Sequence, residues 1–122
     1  MTDIAEIKEP AEPDRLAVGR TVVDGTTVVT VTGEIDHHTC GVLRHALVPT
    51  EPTAARTVAE FSGVAFMDSS GINALIAAHQ AHGPAGSLRL AGVRGPVLRT
   101  LEIVGLTTLI GCYPSVRDAL ES

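Results

Sequence analysis

Asp68-Ser69-Ser70-Gly71 puts a carboxylate and two hydroxyls between an apolar run, Val64 to Met67, and an alanine-rich amphipathic segment. With the run as a strand and the segment as a helix, these side chains stand at a helix N-terminus. Backbone N–H groups and the helix dipole favour an anion there. A serine in that position has three chemical uses: it caps the helix by accepting a backbone N–H, attacks as a nucleophile, or accepts a phosphoryl group. The nucleophile reading is the poorest supported, because the turn is not Gly-x-Ser-x-Gly and no histidine stands at a recognisable triad spacing. A small hydrolase using Ser69 or Ser70 with a nearby histidine is the enzyme-class alternative. A phosphate would add roughly −1.5 to −2 charges beside a helix end that tolerates an anion, with Asp68 next door repelling it. On the tetrapeptide alone, cap and phosphoacceptor both stay open.

A second polar cluster, Thr32-Gly33-Glu34-Ile35-Asp36-His37-His38-Thr39, sets two histidines among acids. Adjacent histidines do not share a helix face, and the His-Glu-x-x-His spacing of zinc enzymes is absent, so no metal site is expected. The cluster reads as a strand-to-helix turn with Asp36 as cap and solvated histidines. Such a turn can also serve as a contact surface. The glycines at 83, 86, 92 and 95 match neither a phosphate-cradling loop nor a dinucleotide fingerprint, and no enzyme site is supported by spacing.

These two turns must be held by alternating strands and helices. Arg15 to Val23 and Thr26 to Thr32 read as strands joined by an Asp24-Gly25 hairpin turn. A helix follows to about Leu47, capped by Asp36 or Thr39, with Val42, Leu43, Ala46 and Leu47 on its apolar face. Thr57 to Phe61 begins a third strand. After Ser62-Gly63 it either continues through a bulge to Met67 or gives way to a buried loop. From Gly71, the spacing of Ile72, Leu75, Ile76 and His79 predicts a helix that Gly83-Pro84 stops. Ser87 to Ala91 is a short strand. Gly95-Pro96 opens a helix with Val97, Leu98, Leu101 and Val104 on its apolar face, ended by Gly105. Thr107 to Gly111 reads as a last strand, and Ser115 with Asp118 as the capping box of a short terminal helix. The order β-β-α-β-α-β-α-β-α favours an α/β domain with a mixed, largely parallel sheet.

Composition narrows the function classes. The 122 residues suit one domain with one core. Aromatics are only 2%, too few for the stacking platforms of single-strand binders, and the formal charge of −5 also argues against nucleic acid. Residues 1–14 hold five acids against Lys8 and carry −4, whereas residues 15–122 hold nine acids against eight arginines. The acidic, proline-bearing stretch 1–14 reads as a disordered tail ahead of a single domain, 15–122. Cys40 and Cys112 read as reduced thiols of a cytoplasmic protein. No apolar run has the length of a membrane span, and the N-terminus lacks the order of a signal peptide.

The two polar segments, about thirty residues apart, together closely resemble the bacterial anti-sigma factor antagonists, which are stand-alone STAS domains. Leu88-Arg89-Leu90-Ala91 looks like the family's fourth strand. Leu101 to Leu106 looks like its third helix and the turn after it. Ala59-Glu60-Phe61 departs slightly from the family's aliphatic-acidic-aliphatic pattern there. The resemblance covers roughly residues 15 to 121. It implies a mixed sheet of four to five strands with about four helices packed largely on one side. It also implies partner switching by a protein that is itself no enzyme and needs no cofactor. In that scheme the unmodified protein binds an anti-sigma factor that is also an ATP-dependent serine kinase, which frees a sigma factor. Phosphorylation of the first serine after Asp, Ser69, breaks the complex, and a serine phosphatase restores it. Glu34, Asp36, His37, His38, Asp68, Ser69, Ser70 and Gly71 would form the partner-binding surface of a free monomer. The alternative within the same fold is a STAS module in a larger signalling assembly that binds without phosphorylation.

Overall fold

The structure, a computed structural model, describes residues 16–49, 56–83 and 87–122. The acidic stretch 1–14, Arg15, Pro52 and Pro84 lie outside the described residues. Strand β1 (Leu16–Val23) and strand β2 (Thr26–Ile35) form an antiparallel hairpin. The expected Asp24-Gly25 turn closes it, with φ of 50° and 82°. Two successive positive φ values match the twist of a two-residue hairpin, and Asp-Gly is among the pairs that adopt them readily.

Beyond the hairpin the pairing is parallel. Helix α1 (Cys40–Leu47) leads to β3 (Thr57–Met67), and α2 (Ser69–His82) leads to β4 (Leu88–Ala91). Helix α3 (Gly95–Ile103) leads through one 3-10 turn, Leu106–Thr108, to β5 (Gly111–Tyr113). Helix α4 (Val116–Glu121) follows, its Ser115 Oγ accepting the Asp118 N–H at 3.2 Å as the capping pattern predicted. The five strands lie in the order β1-β2-β3-β4-β5. The mixed five-stranded sheet and four helices are the fold that the resemblance implied.

Alternation along the strands separates two cores. Val29, Val31, Phe61, Leu88 and Leu90 point to one face and pack with Leu43 and Leu47 of α1, Leu75 of α2 and Leu101 of α3. Val28, Val58 and Ala91 point to the other face, where Ala119 of α4 covers them. Three helices therefore share one side and the fourth takes the other.

Four local expectations change. Strand β2 does not stop at Thr32 but pairs with β3 through Gly33 and Glu34 to Ile35. The last strand is not Thr107 to Gly111. Gly105 turns left-handed at φ 80°, buried Leu106 starts the 3-10 turn, and pairing begins only at Gly111, after Ile110 has been buried as an anchor. Because α3 ends at Ile103, Val104 falls off its apolar face and is exposed. Val42 is also 48% exposed, since α1 buries only Leu43, Ala46 and Leu47. The open question about β3 resolves as one continuous strand with two register shifts against β2, between Thr30 and Thr32 and between Gly33 and Glu34.

Candidate functional site

Parallel pairing brings the two polar segments together. At the carboxyl ends of β2 and β3, Glu34 lies opposite Phe66 and Ile35 opposite Met67. The Asp68 N–H then donates to the Ile35 carbonyl at 3.1 Å. The loop to α1 and the loop to α2 thus leave adjacent strands side by side. Carboxyl ends of parallel strands are where α/β sheets place their working loops.

The first loop is locked by its own side chains. Asp36 Oδ1 accepts the N–H groups of His38 at 2.9 Å and Thr39 at 3.1 Å. Thr39 Oγ1 accepts the Asp36 N–H at 2.9 Å and donates to the Glu34 carbonyl at 2.9 Å. Asp36 therefore secures the turn before α1. Thr39 holds the N-cap position without a side-chain bond to the helix. The side chains this loop displays are Glu34, His37 and His38, all exposed, with the two imidazole rings 3.9 Å apart. Among the described residues no cluster of three or more His, Cys, Asp or Glu is placed to hold a metal ion.

The second loop differs from expectation in one consequential way. The cap of α2 is Asp68, not a serine: its Oδ1 accepts the Ser70 N–H at 2.8 Å from an extended backbone. A carboxylate is a stronger acceptor than a hydroxyl and also complements the helix dipole, so Asp68 takes the role. Ser69 becomes the first helical residue and its side chain is exposed. No hydrogen bond from the described residues holds its hydroxyl. Ser70 is half-buried and turned toward α1. Gly71 is buried where the helix start meets the strand ends. A Cβ there would overlap Met67 and lie 2.7 Å from Ile35 Cγ2, so glycine permits the close approach that sets Ser69 in place.

Two features were not read from the sequence. Cys40 and Arg44 of α1 face Ser70 and Asn73 of α2 across a cleft of about 150 Å³ beside the acceptor loop. Their spacing, 40 to 44 and 70 to 73, is that of one helix face and was available as a signal. Phe66, 50% exposed, stands next to Glu34 on the sheet and adds an aromatic to the rim of the site.

Comparison with known proteins agrees with this geometry. The family model described as the STAS domain matches residues 18–119, and the chain belongs to that family. It is 27% identical over 99 residues to the anti-sigma F factor antagonist of Paenibacillus polymyxa, covering 79% of this chain and 85% of the relative. It is 31% identical over 83 residues to the anti-sigma-B factor antagonist of Bacillus subtilis, covering 67% and 76%. A crystal structure of an anti-sigma factor antagonist from Mycobacterium paratuberculosis superposes with a TM-score of 0.79 at 31% identity, covering 89% of this chain and 94% of that one. The family expected from the pairing of the two polar segments is the one found. No helix among the described residues is long and apolar enough to cross a membrane.

Proposed function

We propose that this chain is an anti-sigma factor antagonist whose binding is switched by phosphorylation of Ser69. The observation that carries the reading is the division of labour at the start of α2. Asp68 does the capping, which leaves the Ser69 hydroxyl exposed and open to a kinase. The relatives' names supply the partner class, an anti-sigma factor. In this reading the anti-sigma factor is also the serine kinase, a serine phosphatase resets the switch, and the protein acts in the cytoplasm as a binding module.

The electrostatics suit such a switch. A phosphate on Ser69 sits at the positive end of a 14-residue helix, so the domain stays folded. The same phosphate directly follows Asp68, whose carboxylate caps the helix and repels it. A partner that closes over it must desolvate the new charge without a cation from this chain's acceptor loop. Glu34, His37, His38 and Phe66 form the exposed rim that the partner covers, while Asp36 and Gly71 shape the backbone beneath it.

The test is incubation with the cognate kinase and ATP, followed by peptide mass spectrometry. One phosphate on Ser69, absent from Ser69→Ala, is expected. Labelling that persists in Ser69→Ala would overturn the assignment of the acceptor. Equal partner binding by Ser69→Ala and Ser69→Asp would favour a STAS module that works without phosphorylation.

A further inference from the structure

On the far side of α1 from the acceptor loop lies a second concavity, a groove of about 530 Å³ between β1 and α1. Its floor and walls are apolar, from Val18, Val29, Val42 and Ala46. Val18 is 40% exposed, an unusual degree for an apolar residue on the helix-covered face of a sheet. The rim is basic. Arg20 lies along it, with Nη2 donating to the Ala46 carbonyl at 2.8 Å, and His45 stands across from it. Neither β1 nor α1 contains a single Asp or Glu. The groove therefore fits an acidic segment with aliphatic anchors.

The chain itself contains such a segment next to the groove. Residues 1–14 carry Asp3, Glu6, Glu9, Glu12 and Asp14 against Lys8, with Ile4 and Ile7 three positions apart. The first described residue, Leu16, packs against the helix-covered core, two residues from Val18, so the connection begins on the groove's own face. Fourteen residues reach up to about 46 Å when extended, against about 12 Å for the eight residues of α1. We propose that residues 1–14 dock in the groove between β1 and α1, with Ile4 and Ile7 against Val18 and Val42 and the acids against Arg20 and His45.

The consequence is regulatory. Gly41 lines both this groove and the cleft that holds Ser70, so a segment lying along α1 borders the surface of the candidate switch. A docked segment would compete with any partner that reaches from the acceptor loop across α1. The docking itself does not depend on the phosphorylation reading and is tested without it.

The test is methyl NMR on the full chain. Cross-relaxation between the Ile4 or Ile7 methyls and those of Val18 and Val42 is expected in the wild type. It should be lost in Val42→Glu and in the exposed His45→Glu, and retained in Val104→Glu, just past the end of α3. Raising salt from about 0.1 M to 1 M shortens the Debye length from about 10 Å to 3 Å and should weaken the contacts. Retained contacts between β2 and β3 would show that each variant still folds. Wild-type isoleucine methyls without any contact to the groove would overturn the proposal. So would contacts seen only between differently labelled chains in a mixed sample, which would assign the groove to a second copy.

Discussion

Gly71→Ala tests the packing that sets the acceptor serine in place, because two effects of opposite sign meet there. Alanine is favoured over glycine by up to about 1 kcal/mol inside a helix, and less in a first turn. Against this, the added methyl would overlap Met67 and lie 2.7 Å from Ile35 Cγ2, about an ångström inside the usual carbon–carbon optimum. Both neighbours are buried and cannot swing into solvent. Overpacking of this kind costs about 1–3 kcal/mol, so the clash wins and the net loss is about 1–2 kcal/mol. For a domain of this size that lowers Tm by roughly 4–16 °C. A double-mutant cycle isolates the cause. Met67→Ala alone costs about 2–5 kcal/mol through its cavity, and Gly71→Ala on that background should restore part of the loss, a coupling of about 1–3 kcal/mol. Thermal and urea unfolding of the four proteins measure it. A Tm that rises in Gly71→Ala, or two changes that add within about 0.5 kcal/mol, would refute the close-approach argument.

Other outcomes follow from the same geometry. Asp68→Ala removes the α2 cap and should cost about 1 kcal/mol, seen as a drop in urea midpoint, while Asp68→Ser keeps most of the bond. Phe61→Ala should cost about 3–5 kcal/mol, because the ring is fully buried, whereas Phe66→Ala stays within about 0.5 kcal/mol and instead weakens partner binding. Burial, and then Glu102, push the Cys112 thiol above its ordinary 9.0. At lower pH both folded and unfolded chains keep the proton. As pH climbs through about 9 the unfolded chain releases it more readily, so stability falls. Cys112→Ala should therefore lose less Tm than the wild type between about pH 8 and pH 10.

How much the sequence reveals depends on which forces are local. Asp24-Gly25 is read correctly because a two-residue hairpin turn demands its backbone angles, whatever surrounds it. The pairing of the two polar segments is legible from their residues, and parallel register then places them at one end of the sheet. Strand β3 shows where local reasoning fails. Its buried residues Phe61, Val64 and Met67 recur every three positions, because two register shifts reset the alternation that identifies a strand. The cap of α2 was misjudged because Asp68, Ser69 and Ser70 are all good caps, and only the backbone path decides among them. The Arg44–Asn73 cleft depends on α1 packing beside α2, a tertiary fact that no single window of sequence contains.

The most direct test of the switch is a calorimetric titration of the anti-sigma partner with the protein before and after enzymatic phosphorylation of Ser69. Burying a phosphate next to the Asp68 carboxylate should weaken the complex about a hundredfold, or about 2.7 kcal/mol. Equal affinity of the two forms, at a stoichiometry of one phosphate on Ser69, would contradict the account.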